Sequence, residues 1–138
     1  MVVPNRRILK KEMVVVQPER VIAVKEQRDS SAVPGYLDFS VSVVTADDTA
    51  TVVVTGDLDC YTAPQLRSAL VALVDDGARN ITLEVASTQF VDSTGLSVLV
   101  GGLKRLREHG GNMVLKAPTP ATMRLFEITG LHTVFDIV

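Results

Sequence analysis

The feature that most restricts the fold of this chain is a repeated change in the spacing of its apolar residues. Residues 81–85 alternate apolar and polar side chains, which is typical of a strand with one buried face, whereas residues 96–106 place leucines at three- and four-residue spacing, which is typical of a helix. Strand and helix patterns alternate in this way from residue 51 onward, which predicts parallel strands joined by right-handed crossovers. Residues 39–44 and 51–55, with a short connection between them, predict an opening hairpin.

The predicted fold is therefore a single α/β domain, a mixed β-sheet with helices packed on it, in the order β-β-α-β-α-β-α-β. We expect strand 51–55 to be buried on both faces at its middle because it is β-branched throughout. Thr62 and Gln65 have the spacing of a capping box for the first helix. The other predicted strands are 81–85, 113–115 and 134–138; the second helix follows Asp92 with Leu96, Leu99, Leu103 and Leu106 in the core, and the third spans 121–129.

The first thirty-five residues differ from the rest in composition. They mix three prolines and many charges with two short apolar pieces, 13–16 and 21–24, and residues 29–35 have the composition of a linker. We therefore divide the chain into an N-terminal extension or linker, 1–35, and a domain, 36–138. The extension carries a net charge of +3 and the remainder −5. A basic arm can bind acidic partners, but a solvated, mobile arm is the simpler interpretation, and we favour it.

Composition excludes several classes of protein. The single cysteine, Cys60, allows no disulfide within the chain, and no apolar run is long enough to span a bilayer or to form a secretory signal. Aromatic residues make up 4% of the chain, with no Trp, which is little surface for stacking nucleic-acid bases. We expect a cytoplasmic protein that binds neither membrane nor nucleic acid.

No enzyme motif is present. The sequence lacks a phosphate-binding glycine loop and a dinucleotide fingerprint, and neither His109 nor His132 has metal-ligand spacing to Cys60 or to the other histidine. Ser93 follows a strand and opens a helix, but a nucleophile elbow needs glycine two residues before the serine, where this chain has Val91. We therefore predict no enzymatic activity, no metal and no cofactor.

Polar residues cluster where two predicted strands end. Asp59 follows the second strand, and Asp92, Ser93 and Thr94 follow the third, so parallel pairing would bring them to one edge of the sheet. Two interpretations stay open on physical grounds. The residues form a binding patch, or Asp92 only caps the helix, Ser93 only occupies its first turn and Gly95 only permits close packing.

Three segments in this order resemble the STAS domain of bacterial anti-sigma factor antagonists. The segments are GDLD at 56–59 with TA at 62–63, FVDSTGL at 90–96 and RLFEITGL at 124–131. The resemblance covers about residue 37 to the end of the chain. Asp-Ser-Thr-Gly-Leu is the most specific of its motifs.

The resemblance implies a partner-switching protein. Such proteins bind an anti-sigma factor that is also a serine kinase, and this binding frees the sigma factor. Carried over by position, Ser93 is the residue that the kinase phosphorylates, which dissociates the complex until a serine phosphatase removes the phosphate. We expect the partner to contact helix two and the segments around Asp59 and 88–91. The predicted partner-binding residues are Asp59, Asp92, Ser93, Thr94, Ser97, Val98 and Gly101.

A second function is compatible with the same resemblance. The chain could be a STAS interaction module in a stress-signalling or transport complex, although modules without phosphorylation need no serine at this position. We expect a monomer or a weak homodimer in either case. An ATP- or GTP-binding domain is a third class, which the absence of a phosphate loop disfavours.

Overall fold

The computed structural model describes residues 39–138, in which strands and helices alternate as the apolar spacing predicts. The order β-β-α-β-α-β-α-β is confirmed, with one short 3-10 helix, Leu131–Thr133, before the last strand. The predictions for residues 1–35 lie outside the described residues. The elements are β1 (Ser40–Ala46), β2 (Thr49–Thr55), α1 (Ala63–Asp75), β3 (Asn80–Ser87), α2 (Ser93–Glu108), β4 (Asn112–Lys116), α3 (Pro120–Thr129) and β5 (Asp136–Ile137).

The strands form one mixed sheet in the order β1-β2-β3-β4-β5. β1 and β2 pair antiparallel as a hairpin that closes at Ala46 and Thr49, and Asp47 in its turn has a φ of 56°. All later pairs are parallel, so each crossover moves the chain one strand along the sheet. Right-handed crossovers in one direction place their helices on the same face.

Burial in the sheet follows this one-sided covering. Alternate strand residues are buried, whereas residues between them, such as Ser42, Thr51 and Lys116, are exposed. The expectation that β2 is buried on both faces was wrong, because Val53 at its middle is only half-buried on the face without helices. The buried sheet residues are Val41, Val43, Ala50, Val52, Val54, Ile81, Leu83, Val85, Met113 and Leu115.

Helix α2 lies close to both α1 and β4. Its residues Leu99, Leu103 and Leu106 are buried as predicted, whereas Leu96, which was also expected in the core, is only half-buried. Gly102 permits the close approach. A Cβ at this position would lie 3.0 Å from a side-chain carbon of Leu70 in α1 and from one of Met113 in β4.

The C-terminal elements begin and end differently from the prediction. Helix α3 starts one residue earlier, at Pro120, because the Thr119 hydroxyl accepts a hydrogen bond from the Thr122 amide at 3.2 Å and caps the helix. The predicted strand 134–138 is reduced to Asp136–Ile137, because the preceding residues form the 3-10 turn. The rings of Phe126 and Phe135, 5.3 Å apart, attach this segment to the core.

Candidate functional site

Two loops at the carboxyl ends of β2 and β3 run side by side and form the candidate site. Leu58 and Val91 make a parallel bridge beyond the ends of the two strands. The Leu58 amide donates to the Phe90 carbonyl at 2.8 Å, and the Asp92 amide donates to the Leu58 carbonyl at 3.0 Å. The predicted meeting of the two polar segments at one sheet edge therefore holds in the structure.

Asp92 both caps α2 and ties the two loops together. One carboxylate oxygen, Oδ1, accepts a hydrogen bond from the Gly95 amide at 2.9 Å, which is the helix N-cap. The other, Oδ2, accepts from the Cys60 amide at 3.1 Å. The capping interpretation of Asp92 is thus correct, and the same side chain also positions the loop that carries Asp59.

Asp59 organises the loop before α1. Its Oδ1 accepts hydrogen bonds from the amides of Tyr61 at 2.9 Å and Thr62 at 3.1 Å. The expected capping box at Thr62 does not form, because the Thr62 hydroxyl donates instead to the Asp57 carbonyl at 2.8 Å and accepts from the Asp59 amide at 2.9 Å. The half-buried Asp59 carboxylate is therefore engaged within its own loop.

Gly95 lets α2 approach the first loop. An added Cβ would lie 2.7 Å from the Leu58 carbonyl oxygen, 2.9 Å from Leu58 Cγ and 3.0 Å from a Val91 methyl carbon. Real Cβ atoms hardly ever come this close to backbone, so the position requires glycine. The close-packing interpretation of Gly95 is correct, and it keeps Asp92 within reach of Cys60.

Ser93 is the first residue of α2 and is exposed, as is Thr94. The Ser97 hydroxyl donates a hydrogen bond to the backbone carbonyl of Ser93 at 3.0 Å. This bond involves the backbone of Ser93 and not its side-chain hydroxyl. Ser97 and Gly101 are also exposed, and a Cβ on Gly101 would meet nothing within 4 Å. These positions continue the exposed surface from Ser93 along α2.

Two parts of the predicted partner surface are less exposed than expected. Val98 is half-buried and packs against the core, so it does not lie on the exposed face of α2. Within 88–91, Thr88 and Val91 are buried, and the Thr88 hydroxyl donates to the Val54 carbonyl at 3.1 Å. Only Gln89 and Phe90 of that segment are exposed.

Two exposed aromatic residues flank the site, and neither was predicted from the sequence as a site residue. Tyr61 is 89% exposed and Phe90 is 53% exposed. In the sequence, only their position next to Asp59 and Asp92 in the two loops indicated that Tyr61 and Phe90 belong to the site. Loop residues lie outside the apolar and polar alternation of the strands, so this alternation does not predict whether a loop aromatic is buried or exposed.

The described part of the chain offers neither a cluster of metal ligands nor a membrane span. Among residues 39–138, no group of three or more His, Cys, Asp or Glu side chains could hold a metal ion. No helix in the same range is both long and apolar enough to cross a membrane. The site itself presents two engaged carboxylates, exposed hydroxyls, two aromatic rings and the exposed thiol of Cys60.

The family model for the STAS domain matches residues 40–138, which include every strand and helix described above. The chain belongs to the STAS domain family. An anti-sigma-B factor antagonist of Bacillus subtilis strain 168 is 36% identical over 101 residues, which is 73% of this chain and 92% of that protein. The predicted family and fold are thereby confirmed for this STAS domain.

Solved structures share the fold. An anti-sigma factor antagonist from Mycobacterium paratuberculosis is 28% identical with a TM-score of 0.64, over 77% of this chain and 88% of that one. The Bacillus cell fate determinant SpoIIAA, solved in its phosphorylated form, is 24% identical with a TM-score of 0.58, over 72% of this chain and 90% of that one. The second likeness shows the fold alone.

Proposed function

We propose that this protein is an anti-sigma factor antagonist that is switched off by phosphorylation at Ser93. In its unphosphorylated form it binds an anti-sigma factor that is also a serine kinase, and the sigma factor is released. The kinase then phosphorylates Ser93 and the complex dissociates, until a serine phosphatase restores the free hydroxyl. The activity belongs to the cytoplasm, where transcription takes place.

One observation carries this proposal. Ser93 is an exposed hydroxyl at the first position of a sixteen-residue helix, at the sheet edge where two loops are braced by Asp92. A kinase can reach such a hydroxyl without unfolding any element. The names of the relatives, which are anti-sigma factor antagonists, support the identity of the partner.

The helix N-terminus explains why phosphorylation would leave the fold intact. A phosphoserine adds about −1.5 to −2 charges at neutral pH. The unpaired amides and the dipole of the first turn attract an anion, so the fold tolerates the charge at Ser93. The Asp92 carboxylate next to it is already compensated by the amides of Gly95 and Cys60.

The same charge would disfavour the complex. A bound partner excludes water from the surface around Ser93, so the phosphate and the neighbouring Asp92 would both lose solvation and repel each other more strongly. A change of about 1.4 kcal/mol alters an affinity tenfold, so a few kcal/mol are enough to dissociate the partner. The switch then works through charge at the contact surface.

The test is phosphorylation of the purified protein by each kinase-type anti-sigma factor of its source organism, in the presence of ATP. We expect one kinase to add a single phosphate, which mass spectrometry locates at Ser93. Thr94→Ala, which removes the neighbouring hydroxyl, should still be phosphorylated at Ser93, whereas Ser93→Ala should not be phosphorylated. Equal phosphorylation of Ser93→Ala, or no phosphorylation by any kinase, would refute the proposal.

Binding supplies the second readout. Ser93→Ala should keep its affinity for the kinase, and Ser93→Asp should lose it, because only the latter carries a charge. Isothermal titration calorimetry with the kinase measures both variants. Equal affinities would mean that charge at Ser93 does not control the complex.

A further inference from the structure

The exposed aromatic residues are not distributed evenly over the surface. Among the aromatic side chains of residues 39–138, Phe126 and Phe135 are buried and Phe39 is half-buried. The exposed ones are Tyr61 and Phe90, and both lie in the loops that form the Ser93 site. Aromatic side chains are enriched at protein–protein interfaces, so two exposed rings in the loops next to Ser93 favour a partner surface there.

The two loops are held in place by hydrogen bonds from their backbone amides. The Leu58 amide binds the Phe90 carbonyl at 2.8 Å, and the Tyr61 amide binds the Asp59 carboxylate at 2.9 Å. The Cys60 amide, next to Tyr61, binds Asp92 at 3.1 Å. Aromatic rings on preorganised loops lose little conformational freedom when they bind, so more of their contact energy appears as affinity.

Upper limits on the Cα–Cα distances place both residues within the area covered by a protein that docks on Ser93. Phe90 precedes Ser93 by three residues, so their Cα atoms are at most about 11 Å apart. Through the 3.1 Å hydrogen bond between Cys60 and Asp92, the Cα atoms of Tyr61 and Ser93 are at most about 16 Å apart. A standard interface covers about 800 Å² on each partner, equivalent to a disc of about 16 Å radius.

We infer that Tyr61 and Phe90 are the affinity anchors for the kinase-type anti-sigma factor. This inference rests on the proposed function, since the occupant of the surface is the protein that phosphorylates Ser93. The kinase presents an apolar recess to the two rings while its active site faces the Ser93 hydroxyl. Affinity and chemistry thus depend on different residues. The two rings bind the partner, and the serine hydroxyl accepts the phosphate.

The test measures the affinity of the kinase that phosphorylates Ser93, by calorimetry in the presence of ADP. Tyr61→Ala and Phe90→Ala should each weaken binding by about tenfold or more, as aromatic hot spots do. Their melting temperatures should stay near that of wild type, because both side chains are exposed. Tyr61→Phe should bind nearly as well as wild type, because it keeps the ring.

Val44→Ala is the matched control. Val44 is a large apolar residue that is 69% exposed, and it pairs with Thr51 near the hairpin end of the sheet, away from the carboxyl ends of β2 and β3. It should bind the kinase like wild type. If wild type binds and is phosphorylated while both alanine variants bind within about twofold of Val44→Ala, the anchor assignment is wrong and the proposed function stands. If wild type neither binds nor is phosphorylated, both fail.

Discussion

At the scale of single residues, three glycines of α2 have different roles although they lie in the same helix. Gly95 faces backbone, Gly102 faces the flexible side chains of Leu70 and Met113, and Gly101 faces open space. Only the first is required for the geometry of the site. Its neighbours, Asp92 and the Leu58 carbonyl, are the groups that connect the two loops.

Gly95→Ala should therefore be destabilising and Gly101→Ala should not. The added methyl group at residue 95 collides with Leu58, and overpacking of this kind costs about 1–3 kcal/mol. At residue 101 the methyl group meets nothing, so the gain in helix propensity should stabilise the protein by up to about 1 kcal/mol. Urea denaturation of both variants measures the difference. Equal unfolding free energies would mean that α2 can shift away from Leu58.

At the scale of elements, the site depends on a bond between a helix end and a neighbouring loop. Asp92 is the N-cap of α2, and its second oxygen holds the loop that leads into α1. A capping residue can be recognised from sequence because its partner is three residues away. Its bond to Cys60, thirty-two residues earlier, depends on the parallel pairing of β2 and β3.

Asp92→Ala should lose both bonds and Asp92→Asn only one. Asparagine keeps one oxygen acceptor for a backbone amide, but its NH₂ group cannot accept from the second. We expect a loss of about 2 kcal/mol for alanine and about half of that for asparagine, measured by urea denaturation. Asp75→Ala is the control, because Asp75 forms an exposed ion pair with Arg105 at 3.7 Å and should cost less than about 1 kcal/mol. If Asp92→Ala lowers the free energy of unfolding no more than Asp75→Ala does, the two hydrogen bonds of Asp92 do not stabilise the fold as proposed.

At the scale of the whole molecule, the core that stabilises the fold and the proposed partner surface lie in different places. The core lies between one face of the sheet and the helices, whereas Ser93, Tyr61 and Phe90 lie at the carboxyl edge of the sheet and are exposed. A charge added at that edge would therefore change the proposed contact surface and leave the core packing in place. This separation is what a reversible modification requires.

Phosphorylated protein should accordingly be as stable as unphosphorylated protein. An anion at a helix N-terminus is worth about 0.3–1 kcal/mol in favour of folding at low salt, and this gain opposes repulsion from Asp92. We expect the unfolding free energies of the two forms to agree within about 1 kcal/mol in urea denaturation. The difference should shrink as salt is added. A much less stable phosphorylated form would indicate a switch that works by unfolding.

The local spacing of apolar and polar residues was sufficient to determine the element order, the mixed sheet, the buried leucines of α2 and the position of Ser93 at its first turn. These features depend on residues a few positions apart, so the spacing of apolar and polar residues along the sequence predicts them. Tertiary structure alone decided that Asp92 also binds Cys60 and that Val98 packs inward. It also decided that Tyr61 and Phe90 stay in water, because burial depends on which distant segments the sheet brings together.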